Sequence, residues 1–378
     1  MKKFILIPDS FKGTLSSKEI CAIMEQNLSA HFKHAKIISI PVADGGEGSV
    51  DCFLTAIGGE KVALECSGPY GEKMQGFYGL IDGGKTAVIE MAAVAGLPLV
   101  ENNKNPMLTT TFGVGELMVD AVNRGVNKII LGLGGSCTND FACGLAVACG
   151  VKFYNKSGDD FIPTGGTLKD ICKIDIKNAQ KIFDKITIEV MCDIDNPPYG
   201  QSGAACVFAP QKGADEAQVQ LLDDGVKHVC SLVKEQFGVD LSNLKGGGAA
   251  GAMGAGMVAF FSAKLKMGID TVLDTVGFDN LISDADCIFT GEGKIDGQSL
   301  GGKVVIGVAR RAKKQGVPVI AVVGGAEGDM SKAYEQGVTA IFSINRLPQD
   351  FSVSRKFSKE NLEFTMDNLS RVIKLRFN

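Results

Sequence analysis

The sequence predicts an α/β protein in which both chain ends build one parallel sheet and a second α/β domain is inserted between them. Three observations carry this. Short buried apolar strands alternate with amphipathic helices at each end of the chain, the middle has a different texture of hairpin-like and glycine-rich segments, and 378 residues correspond to about two domains at roughly 100–200 residues each.

The elements follow in order. FILIP (4–8) reads as a buried strand, and SSKEICAIMEQNLSAHF (16–32) as an amphipathic helix opened by a capping box, with Glu19 three residues after Ser16. AKIISIPV (35–42) is a second strand, followed by the turn ADGGEG and a helix through about residue 57. The rhythm returns with DADCIFTG (284–291), a helix over 302–315, VPVIAVVGG (317–325), a helix near 329–336, TAIFSIN (339–345) and a final helix from about 358. Between them lie the hairpin-like GEKMQGFYGLIDGGKTAVIEM (71–91) and the strands NKIILGLGG (127–135) and ITIEVMCDI (186–194). The expected domains are therefore 1–62 plus 284–378, and 63–283. Buried strands alternating with helices place ligand loops at the carboxyl ends of the strands.

Composition narrows the function. With 45% hydrophobic and 22% charged residues and 48 glycines in discrete loops, the chain reads as a soluble enzyme. A net charge of −4 gives no footprint for nucleic acid or anionic membrane, so small molecules are the expected partners. The apolar run after Lys2 and Lys3 is too short for a signal segment, and GAMGAGMVAFFSA (251–263) is too short to span a bilayer, which predicts a cytoplasmic protein. The 11 cysteines contain no CxxC pair and sit mostly in apolar surroundings; Cys137 alone falls in a candidate active loop.

The chemistry lies in acidic residues set inside glycine-rich turns: ADGGEG (43–48), LGGSCTND (133–140), CDIDNPPYG (192–200) and TGEGKIDGQS (290–299). Glycine lets backbone N–H groups approach a phosphate while neighbouring carboxylates hold Mg²⁺ or accept a proton, so the combination points to phosphoryl transfer. His31, His34 and His228 lie outside every motif, which leaves acid–base work to carboxylates. Asp193, after the strand ITIEVM, is the first candidate base and Asp296 the second, although Asp also favours turns and caps for structural reasons. Asp140, Glu292 and Asp44 suit metal or water-shell ligation, since Mg²⁺ takes one or two carboxylates and keeps several waters.

Positive charge comes from lysine. Lys12 follows a strand and precedes a helix N-terminus, beside Asp9 and Ser10, where an ammonium and a helix dipole can hold an anion. Lys212 in PQKGA and Lys303 at a helix start have similar standing, each alternatively a surface lysine. Gly45, Gly46, Gly134, Gly135, Gly291 and Gly293 supply close backbone approach, and Ser136, Thr138 and Asn139 present hydroxyl and amide groups beside the LGG turn. GGGAAG (246–251) either lays a helix N-terminus against phosphate or serves close helix packing. No GxGxxG follows a strand in the βαβ position, which argues against a nicotinamide-dependent oxidoreductase. A ligand-binding or sensor protein on the same fold is the non-enzyme alternative.

PDSFKG (8–13), ADGGEG (43–48), TTTFGVGEL (109–117), LGGSCTND (133–140), CDIDNPPYGQSGAACVFAPQKGA (192–214), GGGAAGAMGAGM (246–257), MGIDTVLD (267–274) and TGEGKIDGQSLGGK (290–303) together resemble the type I glycerate kinases, in the family's order along almost the whole chain. The resemblance implies a Rossmann-like domain interrupted by a larger inserted one, with glycerate and ATP meeting in the cleft between them in a monomer or homodimer. It implies ATP with Mg²⁺ and 2-phosphoglycerate as product, with 3-phosphorylation as the alternative. Two positions depart from the family pattern. Phe141-Ala142 follows Asp140 where a Gly-Gly pair is common, placing a bulky ring where backbone freedom is expected, and NPPYG (196–200) has a proline where leucine is usual.

Overall fold

The computed structural model describes residues 1–43, 45–297 and 301–377, with side chains through residue 375. It divides into two compact units, a smaller one made of Met1–Ala43 with Met267–Asn378 and a larger one of Asp44–Lys266. The crossings at 43/44 and 266/267 differ from the expected ones near 62 and 284. Packing explains the difference. Helix Ser49–Ile57 lies on the strands Lys73–Ile81 and Thr86–Glu90, whereas helix Gly268–Thr275 lies against helix Val304–Lys313.

The smaller unit is a five-stranded parallel sheet in the order Lys36–Ser39, Lys3–Pro8, Cys287–Gly291, Val319–Val323, Val338–Ser343. Counted within the unit this is 2-1-3-4-5, a doubly wound order whose direction reverses between Lys3–Pro8 and Cys287–Gly291. Every residue of Lys3–Pro8 is buried, as expected of a strand covered on both faces. Helix Ser17–His31 buries Ile20, Met24 and Leu28 at a four-residue spacing against Phe4, Phe289 and Leu362. Its start is the expected capping box: Ser16 Oγ accepts from the Glu19 N–H at 3.3 Å, and Glu19 Oε2 accepts from the Ser16 N–H at 2.8 Å.

The larger unit has a six-stranded mixed sheet in the order Lys264–Lys266, Thr187–Met191, Lys128–Gly132, Thr86–Glu90, Lys73–Ile81, Glu60–Ser67. The first four run parallel, and the last two form an antiparallel hairpin with Thr86–Glu90. A second core lies to one side, where Phe260 meets Phe141 and Phe153 edge to face at centroid distances of 5.9 and 5.5 Å. A small antiparallel sheet of Asp160–Phe161, Lys152–Tyr154 and Lys173–Asp175 has no counterpart in the sequence reading. Among the described residues no helix is long and apolar enough to cross a membrane.

Helix Phe112–Asn123 and helix Cys143–Ala148 approach closely at Gly115, where a Cβ would lie 2.4 Å from the Leu145 carbonyl oxygen and 2.7 Å from Ala148 Cβ. Gly115→Ala gains up to about 1 kcal/mol of helix propensity but overpacks a buried contact at about 1–3 kcal/mol. The expected result is a lower urea midpoint; a raised midpoint would contradict this packing.

Candidate active site

In the larger unit the glycine-rich turns converge on the carboxyl ends of the parallel strands. The Gly45 carbonyl accepts from the Gly134 N–H at 3.0 Å. Backbone contact is so close that a Cβ on Gly132 would sit 2.2 Å from the Gly45 oxygen, and one on Gly134 2.6 Å from Gly46 Cα. Only glycine permits this approach. Ser49 Oγ donates to the Gly46 carbonyl at 2.7 Å, and Glu90 Oε2 accepts from the Val50 N–H at 3.0 Å. Helix Ser49–Ile57 opens on Gly48, which has no side chain to cap it, so a carboxylate from the end of Thr86–Glu90 does so instead. Burial raises the Glu90 pKa, with the Val50 and Gly48 N–H groups pulling the other way.

The segment Ser136–Asp140 is buried. Lys212, 2% exposed, donates from Nζ to Ser136 Oγ and to the Thr138 carbonyl, both at 2.7 Å. Burial pushes its ammonium pKa down to about 8. Cys137 is driven the other way, up to about 12 by burial, so it remains a thiol. Asp140 is fully buried and its pKa is raised by burial, against three donors to Oδ2: the Thr111 N–H at 2.8 Å, Thr111 Oγ1 at 2.8 Å and the Gly144 N–H at 3.2 Å. Asp140 Oδ1, Thr138 Oγ1 and both amide atoms of Asn139 are buried with no hydrogen-bond partner among the described residues. Such orphaned polar atoms cost free energy unless a ligand, water or hydrated cation satisfies them. Asp140 Oδ1 thus fits the water shell of a divalent ion, although among the described residues no group of three or more His, Cys, Asp or Glu gathers as a metal site.

The turn after Asp140 keeps a glycine-like backbone without glycine. Phe141 and Ala142 adopt φ of 58° and 61°, and facing them Ala250, Gly251 and Ala252 adopt 53°, 68° and 65°. Left-handed conformations cost non-glycine residues about 1–2 kcal/mol each. They persist because the Phe141 N–H donates to the Gly251 carbonyl at 3.1 Å and the ring is locked in the second core. The GGGAAG segment therefore packs on the main chain of Thr138 and Asn139. In NPPYG, the Asn196 side-chain amide donates to the Ser202 carbonyl and the Gly200 N–H to Asp223 Oδ1, both at 2.8 Å. Asp193, half-buried, stands two residues beyond Thr187–Met191, whose Met191 Cβ lies 3.0 Å from where a Gly45 Cβ would be.

In the smaller unit the expected residues gather at the point where strand order reverses. The Asp9 N–H donates to the Gly291 carbonyl at 2.8 Å, and the Glu292 carbonyl accepts from the Gly324 N–H at 3.1 Å. A Cβ on Gly293 would lie 3.3 Å from the Lys12 backbone nitrogen. Ser10 and Lys12 are exposed, Glu292 is buried, and Asp296 is half-buried just after Lys294–Ile295. Lys303 is the N-cap of helix Val304–Lys313. Asp44, expected as a metal ligand, lies outside the described residues, as do Gln298, Ser299 and Leu300 of the last motif. Two of the three histidines make structural contacts: His31 Nε2 lies 2.6 Å from Asp367 Oδ1, and His228 Nε2 2.7 Å from the Ile171 carbonyl.

Each unit thus assembles its own strand-end cluster, Gly45, Gly46, Gly134, Ser136, Thr138 and Lys212 in the larger and Asp9, Lys12, Gly291, Glu292 and Gly293 in the smaller. Gly135 stands exposed on the same turn, its carbonyl accepting from the Leu97 N–H at 2.8 Å. Sequence reading missed Glu90 and Thr111. Glu90 carried one signal, a lone carboxylate closing the apolar strand TAVIE, while Thr111 was one of three adjacent threonines in a motif with no role attached. Thr111→Val strips a donor from Asp140 and an acceptor, at 2.9 Å, from the Leu145 N–H. A loss of at least about 2 kcal/mol is expected in urea unfolding, largely restored in Thr111→Ser. Equal stability of the Val variant would remove this network from the site's foundation.

The Glycerate kinase family model matches residues 4–374. A "Glycerate kinase" from Bacillus cereus is 43% identical over 374 residues, covering 99% of this chain and 98% of its own length. "Glycerate 2-kinase" from Escherichia coli is 41% identical over 343 residues, covering 90% of each. The crystal structure of a Salmonella typhimurium LT2 protein assigned as glycerate kinase 2 superposes with a TM-score of 0.87 at 38% identity, covering 99% of this chain and 98% of that one. Matches of this identity and extent, over a chain whose glycine-rich strand ends carry the expected lysine and carboxylates, show that it belongs to the glycerate kinase family.

Proposed function

We propose that the chain transfers the γ-phosphoryl group of ATP to the C2 hydroxyl of glycerate. The observation that carries this is the buried Lys212 ammonium beside Ser136, Thr138 and Asn139, a positive charge and unsatisfied polar atoms held at strand ends where an anion compensates both. Glycerate's carboxylate suits this cluster, which fixes both hydroxyls at set distances from a base and leaves one in line for transfer. The E. coli relative's name, which specifies a 2-kinase, supports the C2 position.

In this reading Asp193 orients and deprotonates the acceptor hydroxyl, with Asp296 as the alternative base. Lys12, exposed at the sheet's reversal point, and Lys303, at a helix start, stabilise phosphate charge from the smaller unit. Asp9, Ser10 and the backbone of Gly291 and Gly293 line the same loops. Glu292 in the smaller unit and Asp140 in the larger are each candidates to hold Mg²⁺ or its waters, and the ion, when bound, would neutralise phosphate charge.

Phosphorus NMR of a mixture of D-glycerate, ATP and Mg²⁺ tests the reading. A single ester appearing as a proton-coupled doublet is expected. A dominant triplet would move the reaction to the primary C3 hydroxyl, and no ester at all would remove glycerate as acceptor. Asp193→Asn is expected to lower kcat by at least about 10²-fold, the scale of a lost general base. Turnover near wild type in that variant would pass the role to Asp296.

A further inference from the structure

A cavity of about 210 Å³ opens in the smaller unit beyond the carboxyl end of Val338–Ser343. Its walls include Asn345, Arg346, Leu347 and Gln349 from the loop after that strand, and Phe357 and Asn361 from the C-terminal helical segment. Asn361 is 7% exposed and faces the cavity, yet its amide group has no hydrogen-bond partner among the described residues. An amide on a cavity wall with no such partner offers a donor and an acceptor to a ligand. The volume is below the roughly 300–1,000 Å³ of sites that enclose whole drug-sized ligands, so it suits one ring system rather than an entire nucleotide.

The chemistry of the walls selects among rings. Phe357, half exposed, offers a stacking face, and the carboxamides of Gln349 and Asn361 can each donate and accept in one plane. That pairing matches adenine, which presents an amino donor beside a ring-nitrogen acceptor. The paired N–H donors of guanine call for a carboxylate, and among the described residues none lines the cavity.

The cavity also connects to the phosphate-type loops of its own unit. Asn345 Nδ2 donates to the Gly324 carbonyl at 2.7 Å, and the Gly324 N–H donates to the Glu292 carbonyl at 3.1 Å. A Cβ on Gly324 would meet the Gly293 oxygen at 2.3 Å, and Gly293 abuts Lys12. A chain of contacts therefore links the cavity through Gly324 and Gly293 to the backbone of Lys12.

Resting on the reading of the chain as ATP-dependent, we propose that this cavity takes the adenine ring of ATP and that the triphosphate runs from Gly324 through Gly293 to Lys12. The smaller unit is then the nucleotide unit, and Phe357 and Asn361 determine base specificity.

The test uses Phe357→Ala and Asn361→Leu in the full chain, with calorimetric binding of ATP and of inorganic tripolyphosphate, which has no base. ATP affinity is expected to fall at least about tenfold in each variant, the scale of one lost stacking or amide contact, with tripolyphosphate affinity unchanged. The KM for glycerate should stay within about twofold. Unchanged ATP affinity, or an equal loss for ATP and tripolyphosphate, would overturn the assignment; Phe357 is half exposed, so its variant reports even where Asn361→Leu fails to fold. Wild-type protein that binds ATP base-specifically but leaves glycerate unphosphorylated would sink the acceptor reading and sustain this one, whereas wild type that binds tripolyphosphate as tightly as ATP would sink this one alone.

Discussion

A lysine ammonium held out of water is the constraint on which the larger unit's site depends. Lys212 is 2% exposed and tied to Ser136 Oγ and the Thr138 carbonyl, so it dictates the path of the whole Ser136–Asp140 segment. Burying a cation without an anionic partner is unfavourable, and the fall of its pKa to about 8 expresses that cost. Among the described residues Lys212 has two polar contacts and no contacting carboxylate, an arrangement suited to an incoming anion. Asp140 completes the logic from below by gathering three donors on one oxygen, which fixes the turn against helix Phe112–Asn123.

Strain surrounds this charge. Phe141 and Ala142 on one side and Ala250 and Ala252 on the other hold left-handed backbone that residues with a Cβ disfavour. Two opposed strained segments, joined by the Phe141–Gly251 hydrogen bond, persist only where neighbouring packing over-determines them, and that is characteristic of a rigid functional scaffold. The Phe141 ring compensates by filling the second core against Phe260.

Much of the fold was legible because its signals are local. Alternating buried strands, the Ser16–Glu19 capping box and the hairpin over 71–91 depend on nearest neighbours and periodicity. The domain crossings were displaced because they are decided by what helices Ser49–Ile57 and Gly268–Thr275 pack against, and sequence spacing carries no trace of that. The site shows the same division. Glycine-rich acidic turns marked the strand ends, and Lys212 was visible as a motif lysine. Its burial was not visible, nor were the supports from Glu90, 40 residues from Val50, and Thr111, 29 residues from Asp140, which exist only through tertiary contact.

Lys212 is central to the larger unit's site as a buried, anion-seeking charge. Nitrogen-detected NMR of its Nζ across a pH titration, with and without saturating glycerate and a non-hydrolysable ATP analogue, measures this directly. The predicted result is titration near 8 in the ligand-free protein and a clear upward shift when the anions bind. Titration near the ordinary lysine value of about 10.4 in the ligand-free protein, or no movement on saturation, would contradict it.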